Sequence, residues 1–233
     1  MSRFVVETPK LVIEALQSPL TVEYIIIRSG DLGMRELLWA AEDAGATVYE
    51  LDKRAFDGLA DAKTPQPALA IVGSPVLTLD DRFARSDGRG GLFVLVDVAD
   101  PGNVGTLIRT AEASGMAGVL FAGRTADALS PKVVRSSAGS VLRVPLAEVR
   151  AEDPQAIVDA LRPYVDEVYA TAMEGTPFTE VSGSNNAYVL GSEAHGLAAE
   201  MIEAVDRSIS IPMHGQVESL NVATAGAVLA FHR

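Results

Sequence analysis

Beyond residue 91 the chain alternates between short, almost continuous apolar runs and stretches whose apolar residues return every three or four positions. The runs predict strands at 92–97, 118–122, 141–145, 167–172, 187–190 and 208–211. The periodic stretches predict helices at 103–114, 131–138, 154–162, 197–204 and 218–231. Strands that are apolar throughout are buried on both faces, and their alternation with helices implies an α/β fold with a parallel sheet covered on both sides. The first part repeats the mixture on a smaller scale. It predicts a helix at 7–17, with Thr8 or Glu7 near its start and Pro9 in its first turn, and a strand at 22–27. A helix at 34–44 ended by Gly45, a strand at 47–51, a short helix at 53–60 and a strand at 69–72 follow. From Ser74 to Gly91 the sequence is rich in Pro, Asp, Arg and Gly. This predicts a linker at 76–90 between a small α/β domain at 1–75 and a larger domain at 91–233.

Composition narrows the classes. The chain has 233 residues, enough for one large or two small domains with a real core. No apolar run is long enough for a membrane helix, and MSRFVVETPK has no apolar leader region, so a cytoplasmic protein is expected. There is no cysteine, which excludes disulfides and thiolate metal sites, and only three histidines remain, so no metal is expected. A net charge of −12 argues against a nucleic-acid partner, because phosphate contacts need Lys and Arg. Local clusters run against that sum: Arg82, Arg85 and Arg89 in the linker, and Arg124, Lys132, Arg135 and Arg143 further on.

In parallel sheets ligands sit beyond the carboxyl ends of the strands, so the strand–helix junctions are where chemistry is expected. The first junction is DVADPGNVGTLIRTA, residues 97–111. Pro101-Gly102 makes a tight turn, and Asn103 suits a helix N-cap. Arg109 shares a helix face with Gly105 and Thr106, small residues that leave room for an approaching group, while Glu112, three residues on, is positioned to pair with it. The second junction, YVLGSEAHGL at 188–197, carries Gly191, Ser192, Glu193 and Gly196, and its glycines permit close backbone approach. His195 reads there as a loop residue. The third, SISIPMHGQVESLNVATAGAVLAFHR at 208–233, follows a strand with Met213, His214 and Gly215. Its helix opens with Ser219, Leu220 and Asn221, and the small residues after them require tight packing.

Taken together, DPGNVGTLIRTA, VLGSEAHGL and IPMHGQVESLNVATAGAVLA resemble, in order and spacing, the three motifs of the SpoU (TrmH-like) RNA 2′-O-ribose methyltransferases of the SPOUT superfamily. The N-terminal stretch FVVETPKLVIEAL resembles the small substrate-binding domain that many members carry. The resemblance implies a C-terminal trefoil knot that binds S-adenosylmethionine, largely through backbone groups, and a homodimer that completes the site across its interface. Carried onto this sequence, the cofactor-binding positions are Leu190, Gly191, Ile211, Met213 and Leu220. The catalytic positions are Arg109, Asn103, Glu193, Ser219 and Asn221.

The implied reaction moves a methyl group to a ribose 2′-hydroxyl of RNA. Arg109 would bind the adjacent phosphate and stabilise developing alkoxide charge. Asn103 and Asn221 would orient Arg109 or the ribose, and Glu193 would hold loops or partners in place. A basic surface from Arg82, Arg85, Arg89, Arg124, Lys132 and Arg135 would supply phosphate contacts. The N-terminal domain, without terminal extensions, points to 23S ribosomal RNA as substrate. The alternatives are tRNA methylation and a catalytically silent RNA-binding protein of the same fold. A nucleotide-dependent oxidoreductase is disfavoured, because DPGNVG lacks the GxGxxG spacing.

Overall fold

The computed structural model describes residues 3–61, 64–74, 76–79, 90–183, 185–217 and 219–232. Its elements form two sheets. The first, β1-β4-β2-β3, uses β1 (Arg3–Glu7), β2 (Val22–Arg28), β3 (Val48–Leu51) and β4 (Ala68–Gly73). Here β2 and β3 run parallel while β4 is antiparallel to both β1 and β2. Helices α1 (Pro9–Gln17) and α2 (Arg35–Asp43) bury Val12, Ala15, Leu37 and Ala41 in its core, and a short α3 (Lys53–Asp57) buries Phe56. The sequence pattern did not reveal β1. Its run of apolar residues is short, and its place comes from pairing with β4, Val5 opposite Ile71.

The second sheet is fully parallel, in the order β11-β9-β10-β6-β7-β8-β5. Its strands are β5 (Val76–Thr78), β6 (Leu92–Val96), β7 (Gly118–Ala122), β8 (Leu146–Glu148), β9 (Val168–Pro177), β10 (Ala187–Leu190) and β11 (Arg207–Ser210). Strand side chains alternate between faces. Leu92 and Val94 of β6 join the apolar layer that includes Ile157, Val158 and Leu161 of α6 (Pro154–Leu161) and Met201 of α7 (Ala199–Ala204). Phe93 and Leu95 face the layer with α4 (Pro101–Ser114), α5 (Pro131–Ser136) and α8 (Val222–Phe231). That second layer is continuous with the core of the first sheet.

Two predictions along this sheet need correction. Residues 76–78, expected inside a linker, form β5 and pair with β8 at the sheet edge. Residues 141–145, expected as a strand, open instead with a 3-10 turn at Ser140–Leu142, and the strand follows at 146. Ala138 and Gly139 both take positive φ, 49° and 90°, and this reverses the chain just where the apolar run begins. Val141 and Leu142 are still buried, so burial without period could not separate strand from turn.

Two arginines of the second part grip the first. Arg135 on α5 donates to Asp61 at 2.8 Å and lies 3.7 Å from Glu7. Arg143 donates to Glu14 of α1 at 2.8 Å. The same Arg143 donates to both carboxylate oxygens of Glu112 on α4, at 2.5 and 3.1 Å. The Glu112 carboxyl is therefore held below its ordinary range, mainly by the Arg143 hydrogen bond. Of the basic surface expected from Arg124, Lys132 and Arg135, only Arg135 is held by a close ion pair, while Arg124 and Lys132 stay exposed beside single carboxylates. Arg124 lies 3.9 Å from Asp97, Lys132 lies 3.8 Å from Asp100, and Arg135 is bound as above. Arg82, Arg85 and Arg89 lie outside the described residues.

Candidate active site

Helix α4 begins at Pro101, two residues earlier than expected. Asp100, not Asn103, is the N-cap: its carboxylate accepts from the backbone N–H of Gly102 (2.5 Å) and Asn103 (3.2 Å). Pro101 takes the first helical position, where its missing N–H costs nothing. Those two N–H bonds hold the Asp100 carboxyl below the usual range.

Relieved of capping, the Asn103 side chain points elsewhere. Its Nδ2 donates to Glu193 Oε1 at 2.7 Å, and its Oδ1 accepts from Asn221 Nδ2 at 3.0 Å. Asn221 is itself the N-cap of α8, and its Oδ1 accepts from the N–H groups of Ala223 and Thr224. One chain of hydrogen bonds thus ties α8, α4 and the loop after β10. The helix expected from residue 218 starts at Val222, so Ser219 and Leu220 belong to the loop before it.

Gly105 does not open the surface beside Arg109, as the sequence suggested. A Cβ there would overlap Ser136 Oγ and lie 2.7 Å from the Val133 carbonyl oxygen, so Gly105 lets α4 and α5 pack closely. Gly226 does the same for α8, where a Cβ would overlap Leu107 of α4. The small residues of α8 are therefore used against α4 within the chain.

Arg109 lies on the exposed face of α4 with Thr106. Glu112, expected to pair with it, is taken by Arg143. Among the described residues Arg109 makes no ion pair and no side-chain hydrogen bond. Six residues separate it from Asn103, about 9 Å along the helix.

A cavity of about 840 Å³ opens at the carboxyl ends of β9, β10 and β11. Leu190, Gly191, Ile211, Met213 and Leu220, the five positions expected to hold cofactor, all line it, as do Glu193 and Ser219. Asn103 and Asn221 reach it through Glu193, and Arg109 is not among its walls. Gly191 is the tight point. A Cβ there would sit 2.5 Å from the carbonyl carbon of Gly196 and 2.6 Å from its oxygen. The loop is closed by a mutual pair of backbone bonds between Ser192 and Gly196, at 3.2 and 2.8 Å.

Other wall residues were not legible beforehand. Thr171, Met173 and Glu174 come from the far end of β9, which runs on to Pro177 where the sequence suggested an end at 172. The segment MEGTP is too polar to read as strand, yet β11 pairs with it across a register shift at Ser208/Ile209. His195, read as a loop residue, also lines the cavity. Among the described residues, no group of three His, Asp or Glu side chains gathers to hold a metal, and no helix is long and apolar enough to cross a membrane.

A parallel α/β sheet with a cavity beyond its strand ends and a polar chain at its mouth defines a ligand-binding domain of the doubly covered class. Comparison with known proteins gives it a family. The model described as the SpoU rRNA Methylase family matches residues 91–231, and that of an MRM3-like substrate binding domain matches residues 1–70. The chain belongs to the SpoU rRNA methylase family. It is 36% identical over 232 residues to the 23S rRNA (guanosine(2553)-2′-O)-methyltransferase RlmP of Bacillus subtilis, covering 98% of this chain and 87% of that protein. It is 33% identical to the 23S rRNA (uridine(2479)-2′-O)-methyltransferase of Streptomyces viridochromogenes, over 85% of this chain and 72% of that one. Among solved structures, the AdoMet-bound rRNA methyltransferase from Sinorhizobium meliloti superposes with a TM-score of 0.85 at 27% identity, covering 99% and 86% of the two chains.

Proposed function

We propose that this protein methylates a ribose 2′-hydroxyl of 23S ribosomal RNA, using S-adenosylmethionine. The observation that carries the reading is the join between two features: the glycine-walled cavity, and the Asn221–Asn103–Glu193 chain at its edge. The family supports it, as do relatives named as 23S rRNA 2′-O-methyltransferases over most of their length.

The residues present fit the cofactor. The cavity volume suits a nucleoside-sized ligand, its walls are mainly apolar, and Gly191 lets the 192–196 loop fold back tightly at its edge, where a Cβ would meet the Gly196 backbone. Leu190, Gly191, Ile211, Met213 and Leu220 would hold it. When bound, it supplies an electrophilic methyl group on a sulfonium. The RNA 2′-hydroxyl is the nucleophile, and in-line alignment contributes much of the rate. Arg109 binds the phosphate beside that ribose and donates hydrogen bonds to the oxygen as its proton passes to solvent water. Glu193, fixed by Asn103, sets the loop that borders the cavity, and Ser219 borders it from the loop after β11.

The exposed and unpaired state of Arg109 fits a site completed by a second subunit, with Arg109 of one chain serving the cavity of its partner. We place a trefoil knot in the segment 187–232, in which α8 returns against α4 after β11 has crossed to the sheet edge. In this reading residues 1–75 are the RNA-binding domain and 91–233 the catalytic one, in a cytoplasmic homodimer.

The test is transfer of labelled methyl from S-adenosylmethionine to RNA from cells lacking the gene, fractionated into ribosomal RNA and tRNA. Alkali-resistant label at one linkage of 23S rRNA, lost in Arg109→Ala with cofactor binding kept, is the expected result. Label in tRNA alone overturns the substrate, and near-normal transfer by Arg109→Ala overturns the role of that residue.

A further inference from the structure

Most described Lys and Arg side chains lie within ion-pair distance of a carboxylate. Among the described residues three do not: Arg109, Arg35 and Arg54. On a chain of net charge −12, these are the described cations that no carboxylate offsets at ion-pair distance. Arg109 belongs to the site above. Arg35 and Arg54 both lie in the first domain. Arg35 opens α2 and Arg54 is the second residue of α3, the helices that follow the adjacent parallel strands β2 and β3, so they share one end of that sheet. A hydrogen bond of 3.4 Å from Arg28 at the end of β2 to Asp57 of α3 fastens that end together.

Arg35 also has a companion. Its guanidinium lies over the ring of Trp39, one helical turn on, 5.8 Å from the centroid. Trp39 keeps 61% of its surface exposed, and Leu32, in the loop before α2, is 98% exposed. Neither packs into the core of its own domain, where α2 instead uses Leu37 and Ala41. A large aromatic left in water beside an unpaired guanidinium matches one ligand chemistry: a base, for the ring face, joined to a phosphate, for the cation.

We propose that the Arg35–Trp39 pair is an RNA-binding platform on the first domain, distinct from the catalytic cavity. An unpaired base stacks at Trp39 while Arg35 takes the neighbouring phosphate, and Arg54 extends the cationic edge. The proposal rests on the reading of the protein as an RNA methyltransferase. A second copy of this chain is the competing occupant, since α2 also exposes Glu36, Glu42 and Asp43, and the titration below separates the two.

Trp39 is the single tryptophan of the chain, so its fluorescence reports on the platform directly. The full-length protein is titrated with unmethylated 23S rRNA transcript. Saturable quenching is expected, with tightness falling as salt rises. Arg35→Ala lowers the slope of log K against log salt by about one. Trp39→Ala raises KM for the transcript by about ten-fold. It leaves kcat within about two-fold and cofactor affinity unchanged, and Trp39→Phe restores most of the KM. Methyl transfer with no change in Trp39 emission, or with unaltered KM in Trp39→Ala, overturns the platform. So does an emission change that follows protein concentration without RNA, which would assign the surface to a second copy. Quenching by transcript in a protein that transfers no methyl keeps the platform and overturns the reading of function.

Discussion

Arg143 holds Glu112 by two hydrogen bonds and so withdraws the carboxylate nearest in sequence to Arg109. Residues three apart on a helix are neighbours, and without Arg143 the two would form a surface pair. The same guanidinium reaches Glu14 of the first domain. The free state of Arg109 therefore depends on a residue that touches neither the cavity nor Arg109 itself.

Arg143→Ala should lower methyl transfer by about two- to five-fold, since exposed ion pairs are worth at most about 1 kcal/mol. Cofactor affinity should hold. Adding Glu112→Gln to the same protein should return most of the loss in kcat/KM. If the double variant stays as slow as the single one, Arg143 acts only through the fold.

The amide of Asn103 donates to one neighbour and accepts from the other, so the chain tolerates one carboxylate at its ends and not two. Asn221→Asp keeps the cap on α8 and should leave the melting temperature nearly unchanged. It sets two carboxylates against one amide, however, and methyl transfer should drop by about ten-fold, the effect of about 1.4 kcal/mol. Asn221→Ala should add a loss of about 1 kcal/mol in stability, read by chemical denaturation, because the cap goes as well. Equal melting temperatures for the two variants would contradict this.

At Gly191 the obstacle to a side chain is backbone, which cannot swing aside. Gly191→Ala should cost about 1–3 kcal/mol of stability and abolish binding of S-adenosylmethionine by calorimetry at a temperature where the protein is still folded. Wild-type affinity in this variant would separate the cavity from the cofactor.

Asp100 caps α4 as a carboxylate whose proton affinity is lowered by two backbone N–H groups. A depressed folded-state value means that the stabilisation is complete above the unfolded value and disappears as the pH falls through the folded one. Asp100→Asn caps without titrating. Its melting temperature should therefore fall less steeply than the wild type's below about pH 4. Parallel curves for the two proteins would show that other carboxylates govern the acid limb.

How far the sequence could be read is visible at these same residues. The alternation of apolar runs and helical stretches placed most of the parallel sheet, because strands buried on both faces leave a direct trace in composition. The DPGN junction was legible as strand end and helix start. Its cap was misplaced because Asn103 is a good capping residue, although Pro101 at the first helical position already pointed to Asp100. The motif residues could be named, but their join could not. Asn103 meets partners 90 and 118 residues away, and no local period carries such a contact. Gly105 shows the opposite error: a missing side chain reads the same whether a ligand or another helix fills the space.

The described cavity is bounded by residues 171–229, whereas β5, β6, β7 and β8, four of the seven strands, all precede residue 149. On the ribosome that side of the sheet is thus made before any wall of the cavity. At about 5–20 residues per second, several seconds separate the two. During that interval the nascent chain has a sheet to build on and nowhere to bind cofactor. Completion of α8 closes the cavity and places the Asn221 end of the hydrogen-bond chain in one event, so under the proposed function cofactor binding would report that synthesis has passed this helix.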